Sequence, residues 1–145
     1  MARIKIPQPS QYTFTTSLVV RITDINYGGH AGNDAILSMI HEARMRFLTH
    51  HGYSELDIAG VGMIMGDVAI EFKGELFYGE TVIMNVTAGE FSRVGFDIFY
   101  KFEKETEGKN QTVVLAKTGM VCFNYSERKV VSVPEAVVSK LMAVS

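Results

Sequence analysis

DINYGGHAGNDAILSMIHEARMRFLTHH, residues 24–51, joins a polar, glycine-rich stretch directly to an amphipathic one. The first part, residues 24–34, contains three glycines together with Asn26 and His30. Glycine and asparagine at this density interrupt regular structure, so the pattern predicts a loop over 24–32. A loop that carries small polar side chains and a histidine is also the strongest candidate for a functional site.

The amphipathic part predicts one long helix over residues 33–51. Its apolar side chains recur at four-three-four spacing, which places them on one face of a helix. They are Ile36, Ile40, Ala43 and Phe47. We expect Asn33 or Asp34 to cap the first turn, and Gly52 stands where a residue in the left-handed conformation commonly ends a helix.

The rest of the chain is dominated by strand patterns. β-branched residues before the loop predict a first strand over 13–23. Four more strands are predicted after the helix, over 63–73, 81–91, 94–105 and 112–125. Alternation within 94–105 should bring Phe96, Ile98, Tyr100 and Phe102 to one buried face. A short final helix is predicted to begin at Pro134, which suits the first helical position, and to run through 135–142.

These elements together predict an α+β fold. Neighbouring strands with short connections favour an antiparallel sheet, and the apolar stripe of the helix needs an apolar surface to pack on. The economical arrangement is a curved antiparallel sheet wrapped around one long central helix. Because this leaves an open face and an edge strand uncovered, we expect a symmetric homodimer.

Composition restricts the class of protein. A chain of 145 residues, 47% of them hydrophobic, is expected to form one domain over 1–145. A formal net charge of -2 argues against a nucleic-acid partner. No apolar run reaches membrane-spanning length, so no membrane partner is expected. Cys122 is the only cysteine and no apolar leader is visible, which favours a cytoplasmic location.

The order of the motifs resembles the hot-dog fold thioesterase superfamily, in particular the 4-hydroxybenzoyl-CoA thioesterase-like and acyl-CoA thioester hydrolase family. DINYGGHAGND followed by HEAR at 41–44 resembles the acidic loop and E-x-A-R helix of that family. LFYGET at 76–81 resembles its turn before the third strand, and AKTGMVCF at 116–123 resembles its last strand. The resemblance extends over roughly residues 14–140 and implies the hot-dog fold.

One position departs from the pattern of that family. In its bacterial acyl-CoA thioesterases the second acidic residue of a D-x-D motif attacks or activates water, and Asn26 occupies that position here. The loop is more similar to the D-x-N-x-H motif of plant acyl-carrier-protein thioesterases, with a longer spacing between Asn26 and His30. An amide cannot act as a base, so another group must activate water.

The resemblance and the chemistry of thioester hydrolysis together indicate the site residues. Asn26, His30 and Asp34 are the expected catalytic core, with Asp24 in support. An imidazole titrates near neutral pH and can relay a proton, a carboxylate can orient or deprotonate water, and the helix start can stabilise an oxyanion. The expected substrate-binding residues are Tyr27, Gly28, Gly29, Asn33, Met63 and Arg93. No metal and no cofactor is expected.

Each of these residues also has a purely structural interpretation. Asn33 and Asp34 are ordinary helix-capping residues, and Asp24 can close a turn after a strand. Met63 can simply fill the core, and Arg93 can be an exposed hairpin residue. The functional interpretation therefore depends on the combination of residues within one loop.

The resulting hypothesis is a hydrolase of acyl-CoA or acyl-carrier-protein thioesters that acts as a homodimer or a dimer of dimers. Two alternatives stay open. One is a non-catalytic acyl-CoA-binding hot-dog protein, because Asn26 stands at the position of the base. The other is a hot-dog acyl-thioester hydratase or dehydratase, for which the chain supplies His30 but no matching motif.

Overall fold

The computed structural model describes residues 2–142. Along them lie six strands and two α-helices: β1 Phe14–Val19, α1 Asn33–His50, β2 Gly62–Phe72, β3 Thr81–Gly89, β4 Gly95–Thr106, β5 Lys109–Asn124, β6 Lys129–Val130 and α2 Glu135–Met142. A 3₁₀ turn, Ile22–Asp24, separates β1 from the loop that precedes α1. The order and type of the main elements are those predicted from the sequence.

The described strands form one antiparallel sheet. Five of them are ordered β1-β3-β4-β5-β2, and β6 pairs with β5. One face of the sheet packs against α1, and the predicted alternation in β4 is confirmed because Phe96, Ile98, Tyr100 and Phe102 are all buried. The four helix residues with four-three-four spacing are buried against them. Burial of each large apolar side chain contributes about 1.5–3 kcal/mol to the free energy of folding.

The first strand is shorter than predicted. The sequence favours a strand over 13–23, whereas β1 ends at Val19. The carboxylate of Asp24 accepts a hydrogen bond from the backbone N–H of Arg21 at 2.8 Å and closes the chain into the 3₁₀ turn. A side chain that bonds to nearby backbone therefore outweighs the β propensity of the residues between them.

The start of α1 differs from the prediction. The N-cap residue is Gly32, which has an extended backbone and makes no side-chain cap. Asn33 and Asp34 are instead the first two helical residues, so the prediction that one of them caps the helix is wrong. The backbone N–H groups of this first turn are left for other partners.

The predicted end of α1 is confirmed. Gly52 adopts the left-handed conformation with φ 79°, directly after the C-cap residue His51. Tyr53 N–H then donates to Leu48 C=O at 2.8 Å, which is the Schellman arrangement.

His51, at this helix end, is a buried histidine whose Nε2 has no hydrogen-bond partner within residues 2–142. Its ring lies edge-on against Phe47 and close to the ring of His50. Burial lowers the pKa of His51, and the positive charges of His50 and Lys140 lower it further. Because the folded-state pKa lies below that of the unfolded chain, stability is full above the unfolded pKa and is lost as pH falls through the lowered pKa.

We therefore expect the unfolding free energy to fall as pH is lowered from about 8 to about 5. His51→Phe keeps the ring against Phe47 but removes the buried imidazole, so it should stabilise the protein more at the acidic end than at the neutral end. Urea unfolding of the wild-type protein and of His51→Phe at several pH values measures both the pH dependence of stability and the effect of the substitution. A stability gain independent of pH would assign the effect to packing and not to protonation.

Candidate active site

The loop before α1 is a tight turn closed by its own backbone. Ile25 and Ala31 form a β-bridge, and Asn26 N–H donates to His30 C=O at 2.9 Å. Tyr27 lies at the tip and is fully exposed. Gly29 has φ 86°, a conformation that side chains larger than hydrogen rarely adopt. The closed turn holds Asn26 and His30 on either side of the glycines.

One long-range hydrogen bond attaches this turn to the segment before β3, because Ala31 N–H donates to Leu76 C=O at 2.8 Å. A second bond, from Gly32 N–H to Asp24 C=O at 3.1 Å, closes the loop against the 3₁₀ turn. The segment around Leu76 is itself held by Lys104 on β4, whose buried ammonium donates to Glu75 C=O at 2.7 Å. The start of α1 therefore has a defined position beside the turn that leads into β3.

Asp24 has a structural environment. It is buried, and besides the Arg21 backbone it accepts the Arg21 guanidinium at 3.3 Å and 3.4 Å. Both carboxylate oxygens are thus occupied by groups of the 3₁₀ turn. This arrangement makes Asp24 a stabilising residue of the loop and leaves it poorly suited to deprotonate water.

The side chain of Asn26 points towards the helix start. Its Oδ1 accepts the backbone N–H of Gly28 at 2.9 Å, so the orientation of the amide is defined. Its Nδ2 would lie 3.6 Å from a Cβ placed on Gly32 and makes no hydrogen bond within residues 2–142. Asn26 therefore offers a donor, and not a base, next to the first turn of α1.

His30 has a defined tautomer. Its Nδ1 lies 3.1 Å from Ala31 C=O, and because a carbonyl can only accept, Nδ1 carries the proton. Nε2 then carries the lone pair of the neutral ring. It lies 3.9 Å from the Glu75 carboxylate and would be 3.6 Å from a Cβ at Gly28. The half-buried ring thus presents a basic nitrogen at the loop, with the Glu75 carboxylate beside that same nitrogen.

Glu75 is the residue of this site that the sequence analysis missed. It stands immediately before the segment LFYGET, whose resemblance to a family turn was the available signal. Nothing in the local pattern indicates that a residue 45 positions after His30 lies beside its ring. The pairing arises only because Ala31 bonds to Leu76 and carries the loop to this turn.

Asp34 lies at the second position of the helix and is exposed. Its carboxylate makes no hydrogen bond within residues 2–142, and its Oδ1 would be 2.7 Å from a Cβ on Gly32. The backbone N–H groups of Asn33, Asp34 and Ala35 have no acceptor in this part of the chain either. These free donors, at the positive end of the helix dipole, suit a developing negative charge.

The comparison with known families decides the identity of the fold. Residues 20–141 match the model of the Thioesterase-like superfamily. The chain belongs to this superfamily. The antiparallel sheet packed on one long helix is accordingly the hot-dog fold, as the sequence predicted.

Several thioesterases of known structure share this fold. A 1,4-dihydroxy-2-naphthoyl-CoA thioesterase from Synechocystis is 23% identical, with a TM-score of 0.77 over 88% of this chain and 94% of its own. An aspartate-to-asparagine mutant of 4-hydroxybenzoyl CoA thioesterase, complexed with 4-hydroxybenzoyl CoA, is 17% identical, with a TM-score of 0.80 over 88% and 97%. A gentisyl-coenzyme A thioesterase is 18% identical, with a TM-score of 0.75 over 88% and 99%.

Three kinds of feature were not found for this thioesterase-like chain or for its described residues. No curated protein matches its sequence. Among residues 2–142 no helix is long and apolar enough to cross a membrane. The same residues contain no group of three or more His, Cys, Asp or Glu side chains that could hold a metal ion.

Two predicted binding residues lie away from the loop within one thioesterase-like subunit. Arg93 lies after the end of β3, whereas the loop bonds through Ala31 to Leu76, before the start of that strand. β3 itself is about 26 Å long at 3.3 Å per residue. Met63, near the start of β2, is buried in the core. The remaining predicted residues, 24–34, are brought together as expected, since they share the loop and the first turn of α1.

The two loop aspartates should differ in their effect on stability. Asp24→Ala removes the buried acceptor of the Arg21 backbone and side chain, and should lower the unfolding free energy by about 1.5–3 kcal/mol. Asp34→Ala removes an exposed carboxylate and should cost only about 0.3–1 kcal/mol through the helix dipole. Urea unfolding compares them directly. Equal losses would contradict the structural role of Asp24.

Proposed function

We propose that this protein hydrolyses acyl thioesters of coenzyme A, or of acyl-carrier protein, to a free acid and a thiol. The observation that carries the proposal is that three kinds of group lie in the loop before α1 and in its first turn. These are the unpaired backbone N–H groups of the first turn, the Asn26 amide donor and the Nε2 lone pair of His30. They match the needs of thioester hydrolysis, namely a polarised carbonyl and an activated water.

The helix start provides the oxyanion site of the proposed mechanism. As water adds to the thioester carbon, negative charge develops on the carbonyl oxygen. The N–H groups of Asn33, Asp34 and Ala35 are fixed by the helix, so they stabilise this charge without reorganising. Asn26 Nδ2 lies on the same side, next to Gly32, and adds a further donor.

His30 replaces the missing aspartate as the base. Its Nε2 takes a proton from water while the water oxygen forms a bond to the carbonyl carbon. When the C–S bond breaks, the imidazolium returns that proton to the leaving thiolate. The carboxylate of Glu75, 3.9 Å from Nε2, stabilises the imidazolium between these two steps. Asp34, exposed beside the same turn, is left to orient the water.

The superfamily and its solved members support this proposal. The matched model is that of thioesterase-like proteins, and three neighbours of the same fold are named as thioesterases of CoA esters. Their sequence identity to this chain is low, so the substrate is inferred from the site and not from them.

A panel of acyl-CoA thioesters, assayed for release of free thiol, tests the activity. His30→Gln should lower kcat by about 10²–10⁴, because the glutamine amide cannot take a proton from water. Glu75→Gln should give a smaller loss, because the imidazole remains. Matched controls are His50→Gln, exposed at the far end of α1, and Glu105→Gln, exposed at the end of β4.

The results of these assays distinguish the candidate bases and the candidate functions. Full activity in His30→Gln would contradict the base assignment and would leave Asp34 to be tested with Asp34→Asn. No thiol release across the panel, with binding of the acyl-CoA retained, would instead favour the non-catalytic acyl-CoA-binding protein. Asn26 occupies the position of the usual base, and this is the observation that favours the second function.

We propose further that the protein acts as a homodimer, alone or as a dimer of dimers. β2 lies at the edge of the sheet and exposes the apolar side chain of Ile64 on the face turned away from α1. A free edge with apolar side chains pairs readily with a second copy. Ile64→Lys should lower the mass measured by sedimentation equilibrium, whereas Ile4→Lys, in the exposed N-terminal segment, should not. An unchanged mass in Ile64→Lys would remove β2 as the interface.

A further inference from the structure

An exposed stripe of α1 leads away from the candidate active site. Asp34 and His41 each lie three or four residues from the adjacent pair Leu37 and Ser38, and all four side chains are exposed. Residues with this spacing lie on one face of a helix. The stripe begins at the first turn of α1 and reaches His41 about 10 Å further along the axis, at 1.5 Å per residue.

The edge strand β2 borders this stripe. A bulge between Met65 and Asp67 resets its alternation, so that Met65, Val68 and Phe72 share the face of the sheet that packs on α1. All three are exposed, unlike their partners on β5. Between helix and strand lies a groove of about 460 Å³, lined by Leu37, Ser38, His41, Arg44, Glu55 and Met65. Leu37 and Met65 line it with apolar side chains, and Arg44 and Glu55 line it with charged ones.

Arg44 forms the far end and is held from two sides. Only 6% of its side chain is exposed. Nε donates to Glu55 Oε2 at 3.3 Å, and Nη1 donates to the hydroxyl of Tyr100 at 3.3 Å. The same hydroxyl lies 2.8 Å from Thr118 Oγ1 and shares a hydrogen bond with it that either oxygen can donate. Nη2 makes no hydrogen bond within residues 2–142, although the guanidinium lines the groove.

Glu55 and His41 complete the polar end. His41 Nε2 lies 2.7 Å from Glu55 Oε1, which leaves His41 Nδ1 without a partner among residues 2–142. When Nε2 carries the proton, Nδ1 is an acceptor. The Arg44 and Glu55 charges cancel, so the end of the groove offers one donor edge and one acceptor without net charge. A neutral group that both accepts and donates, a hydroxyl, satisfies it.

We propose that this groove holds the acyl chain of the substrate, and that Arg44 and His41 recognise a hydroxyl group at its distal end. The inference rests on the proposed thioesterase function, which places the acyl carbonyl at the start of α1. Arg44 Nη2 donates to the hydroxyl oxygen, and the hydroxyl proton is donated to His41 Nδ1. Leu37, Met65 and Val68 contact the methylene groups between the two ends.

A purely structural ion pair would account for less of this geometry. Tying the 51–61 segment to the helix needs only the contact between Arg44 Nε and Glu55. It does not need a second guanidinium edge that is oriented by the bond to Tyr100 and faces the groove. A hydroxyl oxygen that accepts from this edge uses a donor that the ion pair leaves free.

Matched CoA thioesters test the proposal in the intact protein. Octanoyl-CoA and 8-hydroxyoctanoyl-CoA differ only in a hydroxyl placed at a distance comparable to that between the helix start and His41. We expect kcat/KM for 8-hydroxyoctanoyl-CoA to exceed that for octanoyl-CoA by about tenfold or more. Octanoyl-CoA has no hydroxyl and therefore leaves Arg44 and His41 without a partner. Dissociation constants from calorimetry should show the same preference, and they do not depend on turnover.

Two variants connect the preference to the groove. Arg44→Lys and His41→Leu should each bring the ratio of the two kcat/KM values close to one. His41 is exposed, so its replacement tests the proposal even where Arg44→Lys reduces folding, which circular dichroism detects. Arg46→Lys makes the same substitution on the other side of α1, where Arg46 bonds to Glu42 and Ser17, and should keep the preference.

The outcomes of the two proposals are distinguishable. No hydrolysis of any thioester, with tighter binding of 8-hydroxyoctanoyl-CoA, overturns the hydrolase function and retains the groove. Equal kcat/KM values and equal dissociation constants for the pair overturn the groove and retain the hydrolase. A preference for octanedioyl-CoA over 8-hydroxyoctanoyl-CoA would show recognition of an anion and would overturn the hydroxyl assignment. A preference unchanged in both variants would also overturn it.

Discussion

The hydrogen bond between Ala31 N–H and Leu76 C=O, 2.8 Å long, is the contact on which the position of the site depends. It joins the loop before α1 to the turn before β3, and so places the start of the helix at one edge of the sheet. Lys104 supports it from β4 by binding the carbonyl oxygen of Glu75. Without this attachment, the free N–H groups of the helix, His30 and Glu75 would have no defined relation to one another.

Much of the fold follows from periodicity, because burial imposes the same period on sequence and structure. The alternation in β4 and the spacing along α1 predicted which side chains are buried. The errors lie where a single side-chain contact competes with propensity. Asp24 bonds to Arg21 and ends the first strand early, and Gly32 takes the cap position that Asn33 or Asp34 was expected to fill. Such contacts have no periodic pattern.

The candidate site was predictable only to the extent that it is local. Asn26, His30 and the helix start lie within one loop, so the sequence already places them together. Glu75 beside His30, and Tyr100 beside Arg44, are contacts between residues far apart in the chain. They depend on the register of the sheet, and a one-residue shift would turn Tyr100 to the other face. These two contacts can therefore be identified only from the folded structure.

Asn26 suits this particular loop better than the aspartate of the D-x-D motif would. Its Oδ1 is already occupied by the backbone of Gly28, a bond that an aspartate would also make. A carboxylate there would replace the Nδ2 donor with a negative charge near Asp34 and Glu75, and it would oppose the oxyanion that forms at the helix start. If His30 is the base, as proposed, a second anion is unnecessary and a neutral donor is useful. The departure from the family pattern and the His30–Glu75 pair are therefore two parts of one electrostatic arrangement.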